Sequence, residues 1–158
     1  MSITVKVNQE QIHKLDLSSV TTTIEELEQR GEILTLEQQI IFEIDYPRDE
    51  LDPRELSEIE EIRLWFIALD SLYPWFPFCL NWREGELARY AAMIVPHEFH
   101  RTEGIQYNSQ ALDIFVMSKT FTLNKWLKQQ NAKSNSRLKA MAQIFGYDLG
   151  EEFLQLIP

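Results

Sequence analysis

Residues 63–82, RLWFIALDSLYPWFPFCLNW, place seven aromatic side chains in the eighteen positions from Trp65 to Trp82 and interrupt them with Pro74 and Pro77. A stretch this apolar is not a linker. Crossing a bilayer takes roughly 20 apolar residues, and the prolines break this run short of that. It therefore packs, either inside the molecule or against a partner. Upstream, Leu56, Ile59, Ile62, Phe66, Leu69 and Leu72 recur at threes and fours, which predicts an amphipathic helix running to Tyr73-Pro74. Phe66 falls on that stripe and Trp65 beside it. The tetrapeptide DPRE supplies a start signal, with Asp52 as N-cap, Pro53 at the first position and Glu55 at the third. Downstream, FPFCLNW suggests a strand and REGE a turn. LARYAAMIVP is alanine-rich like a helix yet β-branched toward Pro96, and the expectation is a hairpin with FPFCLNW.

Farther out the pattern continues in both directions. Ile3, Val5 and Val7 alternate with polar residues and predict a short strand. TTTIEELEQRGEIL reads as a helix with Gly31 just past its end. QQIIFEIDYP sets Ile40, Phe42, Ile44 and Tyr46 at period two, a strand stopped by Pro47. HEFHRTEGIQY reads as a polar loop around Gly104. Asn108 can cap a long helix with Leu112, Phe115, Val116, Lys119, Leu123, Trp126 and Leu127 on one face. A helix through RLKAMAQIF follows, begun at Ser134 or Ser136 and ended by Gly146, and DLGEEFLQLI closes the chain with a short one. The expected class is α+β, a single domain over 1–158 in which a small, mostly antiparallel sheet is covered by several helices.

Charge is unevenly placed. The net charge is −10, and residues 1–63 carry all of it with sixteen acids against six bases. The remainder is balanced, yet 119–139 holds Lys119, Lys125, Lys128, Lys133, Arg137 and Lys139 without one acid. An acidic body repels phosphate, which argues against nucleic acid as the main ligand. The N-terminus has no apolar core with a small-residue cleavage site and no Arg- and Ser-rich, acid-poor character. One cysteine, Cys79, excludes an intramolecular disulfide and suits a reducing, cytoplasmic setting.

Chemistry-bearing motifs are sparse. His97-Glu98-Phe99-His100 lacks the four-residue histidine spacing of a helical zinc site, although His97, His100 and Glu103 could converge from a loop to serve a metal-dependent enzyme. Cys79 sits between Phe78 and Leu80, a setting for a structural thiol and not a nucleophile. Acids in the first sixty residues are too abundant to single out a pair for acid–base work. No glycine-rich phosphate loop or nucleophile elbow is present. Catalytic, cofactor-binding and metal-ligating residues are therefore not assigned. Tryptophan, tyrosine and arginine dominate protein interfaces, which makes Trp75, Trp82, Arg89, Tyr90, Arg101 and Tyr107 the candidates for a partner-facing patch. Trp75, at a chain reversal between Pro74 and Phe76, is expected to be partly exposed.

Four phrases, DPRELSEI, RLWF, ELARYAAM and HRTEGIQYN, with ALDIFVMSK and SRLKAMAQIFGYDL beyond them, are unlike common structural sequence. Over roughly residues 40–149 they resemble the chlororespiratory reduction six family of cyanobacteria and chloroplasts. The resemblance implies a non-catalytic maturation factor for the photosynthetic NAD(P)H dehydrogenase-like complex. Its implied partner is the I subunit, a ferredoxin-like iron–sulfur protein, bound before it joins the complex. Lacking the transit extension of chloroplast members, the chain looks like a cyanobacterial one. A stable accessory subunit of the complex is the other reading the resemblance leaves open.

Overall fold

The chain is described here over residues 2–158 by a computed structural model. Alternation at its start produces strand β1, Ile3–Asn8, with Val5 and Val7 buried. Asn8 ends the strand and caps the short helix α1, Gln9–His13, by accepting from the Gln11 amide at 2.9 Å. Helix α2, Ser18–Gln29, packs Val20 and Ile24 inward and stops at Gly31, whose φ of +68° suits a residue without a Cβ. After a 3₁₀ turn at Ile33–Leu36, strand β2, Ile40–Asp45, pairs with β1 in parallel from Ile3↔Ile40 to Asn8↔Asp45.

Helix α3 begins later than DPRE suggested. The Asp52 carboxylate is taken by Arg54, which donates from its amide at 3.0 Å and its guanidinium at 2.7 Å. The capping box forms three residues on, between Glu55 and Glu58, and closes a 3₁₀ turn at Leu56–Glu58. Ile59 then returns to extended backbone, and α3 spans Glu60–Leu72. Its buried face is wider than the stripe, because Trp65 is enclosed too. The Trp65 indole N–H donates to the Asp16 carbonyl at 2.8 Å, which removes the cost of burying it.

FPFCLNW and LARYAAMIVP do not form a hairpin. Pro77 tightens Phe76–Cys79 into a 3₁₀ turn, and Leu80 contributes one parallel bridge to Ile40. Gly85, at φ +79°, then starts helix α4, Glu86–Ile94. Alanines and long side chains at 86–93 favour helix, and the β-branched pair Ile94-Val95 lies only at its end. The hairpin is instead in the segment expected to be a loop. Strands β3, His97–His100, and β4, Gly104–Tyr107, pair antiparallel across residues 101–103. Helices α5, Ser109–Gln129, α6, Asn135–Ile144, and α7, Glu151–Leu156, complete the chain. Asn108 caps α5 through the Ala111 amide at 3.0 Å, as its sequence predicts.

The class is α+β: seven α-helices and four strands among the described residues. The strands divide into two separate pairs, of which the longer is parallel and the shorter antiparallel. One apolar cluster draws on residues from Val5 to Ile157, with the aromatics of 65–78 inside it. Phe42, Phe66, Trp65 and Tyr90 meet edge to face at 4.9–5.9 Å, and Trp75 stacks on Trp126 at 4.4 Å and 9°. No helix among the described residues is long and apolar enough to cross a membrane.

Candidate functional site

On the side of β2 away from β1, a cleft of about 450 Å³ opens between the outer edge of the strand, the 3₁₀ turn at Leu56–Glu58, helix α4 and strand β4. Phe42, Ile44 and Phe66 supply its floor, with Ala92, Met93, Ile105 and Tyr107 among the remaining walls. Most of this surface is apolar, which sets the cleft apart from the polar hollow bounded by Ser2, Glu37, Asn81 and Arg83.

The cleft contains one desolvated charge. Glu86, in the first turn of α4, keeps only 3 % of its side chain exposed and pairs with the guanidinium of Arg89 one turn on. Its Oε2 lies 3.5 Å from the Phe42 amide nitrogen, at the limit of hydrogen bonding. Burial pushes the carboxyl pKa above the usual range, and Arg89 offsets part of that rise. Arg89 stays largely exposed and also donates to the Glu84 carbonyl at 2.9 Å. The hairpin is held over the cleft from two sides. The Tyr107 hydroxyl donates to the Ala88 carbonyl at 3.1 Å. His97 Nδ1 donates to the Val95 carbonyl at 3.0 Å, so Nε2 is left to accept from the Ser57 hydroxyl at 3.0 Å.

The six residues nominated from sequence are divided by the fold. Arg89, Tyr90 and Tyr107 line the cleft together. Tyr90 contributes little surface, being 1 % exposed, and its hydroxyl donates to Asp70 at 2.8 Å. Trp75 is 8 % exposed, not partly open as its place at a reversal suggests, because its ring stacks on Trp126. Trp82 is half-buried away from the cleft, its indole N–H bound to the Pro77 carbonyl at 2.8 Å. Arg101 is exposed in the hairpin turn. His97, His100 and Glu103 do not converge, and no group of three or more His, Cys, Asp or Glu among the described residues could hold a metal ion. His97 is engaged as above, while His100 lies 3.6 Å from Glu98 on its own strand. Cys79 is buried and its thiol pKa is pushed far above normal by desolvation, an inert setting. Sequence reasoning missed Glu86 because one carboxylate among many carries no mark until its burial is known.

The family model for chlororespiratory reduction 6 matches residues 7–156. The chain belongs to the chlororespiratory reduction 6 family. The match takes in the end of β1, helices α1 and α2 and the closing helix α7, all outside the 40–149 region where the sequence resemblance is most distinct. The cleft, Glu86 and the hairpin all lie within the matched family region. No solved structure matches the chain.

Proposed function

We propose that this member of the chlororespiratory reduction 6 family is a non-catalytic assembly factor for the photosynthetic NAD(P)H dehydrogenase-like complex. In this reading it binds the iron–sulfur I subunit in the cytoplasm and assists its incorporation. Family membership over 7–156 carries the proposal. The cleft supports it by offering apolar surface to another polypeptide, since exposed apolar concavities of this kind favour binding. The side chains around it suit binding and positioning: a buried carboxylate tied to an arginine, two tyrosines and aliphatic walls.

The test is capture of the tagged chain from cells under mild conditions, with identification of the co-purifying polypeptides and their iron content. The I subunit is expected in the capture, with a free or small-intermediate pool of the tagged chain on a native gel. Absence of the I subunit would count against the proposal. Co-migration of all the protein with the full-size complex would replace it with a stable accessory subunit. Stoichiometric metal on the purified protein, with function lost in a folded His97→Ala variant, would replace it with a metal-dependent enzyme.

A further inference from the structure

The wall of the cleft formed by β2 is an unpaired strand edge. Ile3 donates to the Gln39 carbonyl at 2.7 Å, which fixes the alternation of the parallel ladder. Main-chain groups of Ile41, Glu43 and Asp45 therefore face β1, and those of Ile40, Phe42 and Ile44 face outward. Ile40 is satisfied there, because its carbonyl accepts from the Asn81 amide at 2.8 Å beside the single bridge to Leu80. The edge then runs on without a strand. The outward main chain of Phe42 makes only the long hydrogen bond to Glu86 among the described residues, and that of Ile44 makes none. Both side chains lie in the cleft. A free edge flanked by apolar pockets is the arrangement that binds an extended peptide by strand addition.

Charge selects among extended segments. The chain from Glu43 to Glu61 leads out of β2, around the mouth through Glu55, Leu56 and Ser57, and into α3. It carries nine acids, against only Arg48 and Arg54 as bases. Glu55, one of those nine, stands in the lining itself, where Glu86 adds a further carboxylate and Arg89 is the one base. We propose that the cleft binds an extended, apolar polypeptide segment with basic flanks as a third strand on the outer edge of β2, using the Phe42 and Ile44 main chain for pairing. This rests on the reading of the protein as a factor that binds an unassembled subunit, and specifies the segment it takes.

The test uses the full chain and a short alternating valine–threonine peptide with lysines at both ends. Addition of the peptide is expected to slow amide hydrogen exchange at Phe42 and Ile44 by about tenfold or more, leaving Glu43, already paired to β1, unchanged. The same peptide flanked by glutamates is expected to bind about tenfold more weakly. Ile44→Pro, which deletes an outward N–H and no ladder bond to β1, is expected to reduce binding by about tenfold with the circular dichroism spectrum retained. The exchange result on the unaltered chain decides the matter if that variant misfolds. No binding of the lysine-flanked peptide at millimolar concentration, or binding without slower exchange at Phe42 and Ile44, would overturn strand addition. Concentration-dependent protection of those amides without peptide would overturn it in favour of a second copy of the chain. Capture of the I subunit undiminished by a folded Ile44→Pro would refute strand addition and leave the assembly role standing. Protection by the peptide without capture of the I subunit would do the reverse.

Discussion

Lys119 was legible in sequence only as an oddity, a lysine on the apolar stripe of a long helix. The fold accounts for it with a buried polar chain: Lys119 Nζ lies 2.5 Å from Asp70 and 2.9 Å from the Pro74 carbonyl, and Asp70 also accepts from Tyr90. Burial, with the Asp70 charge beside it, pushes the Tyr90 hydroxyl well above its ordinary pKa, so it remains a donor. Lys119→Met leaves the mostly buried Asp70 charge without its cation and with the Tyr90 hydroxyl as its remaining partner, and about 3 kcal/mol of stability is expected to go, read from urea unfolding. The double variant Lys119→Met with Asp70→Leu, which removes both charges, is expected to recover most of that loss. Glu86 responds to pH in the sense opposite to an exposed, paired carboxylate. Its folded pKa is raised, so the fold holds the proton more tightly than the unfolded chain. Stability from this group is full below the unfolded value of about 4.3 and is lost as pH rises through the raised folded value. Glu86→Gln is expected to remove that part of the decline, seen as a wild-type-minus-variant difference in urea midpoint that shrinks as pH rises across that window. A difference independent of pH would mean the carboxyl is not desolvated.

At the level of elements, periodicity was readable wherever packing and local preference agreed. β1, α2, β2, α5 and α6 each combine a clear repeat with a cap or a stop, as at Asn108 and Gly146. It failed where residues answer to a tertiary partner. FPFC looks like a strand by composition, but Pro77 bends it so that Phe76 and Phe78 enter the core from a turn. HEFH and GIQY alternate weakly and were hidden by their polarity; Gly104 at φ +74° and two anchoring side chains make them a hairpin. The site was half legible for the same reason. Arg89, Tyr90 and Tyr107 could be nominated by residue type, whereas the open edge of β2 depends on which strands pair. Trp75 shows the opposite error, an interface type of residue spent on internal stacking. Its partner Trp126 joins α5 to the turn before Phe76–Cys79, and also meets Phe78 at 5.0 Å. Trp126→Ala is expected to cost about 3–5 kcal/mol in chemical unfolding, as for other buried large-to-small changes. A loss below about 1 kcal/mol would show that the stack is peripheral to the core.

Across the whole molecule the sequence dipole becomes internal contact as well as surface charge. Arg137, from the basic stretch, reaches back one hundred residues to grip Glu37 at 2.7 and 3.1 Å over the ring of Phe78. Lys119 is consumed by Asp70 and Lys139 by Glu151, so much of the positive run is spent on the fold. Acids in the segment from β2 to α3 are mostly free of such ties: Asp45, Asp49 and Glu50 are exposed. Unspent charge of one sign beside an apolar cleft accelerates encounter with a partner of the other sign and contributes less to holding it afterwards. Asp45→Lys combined with Glu50→Lys should therefore leave stability within about 0.5 kcal/mol of the parent. The association rate with the proposed partner, the I subunit, at low salt is expected to fall by about tenfold, with the dissociation rate nearly unchanged. Raising salt to physiological strength should slow the parent and bring the two rates together, because screening acts over about 8 Å there. Stopped-flow or surface-binding kinetics at two ionic strengths distinguish the terms. Equal association rates for parent and variant at low salt would remove the acidic segment as the steering element, without bearing on the proposed strand addition in the apolar cleft.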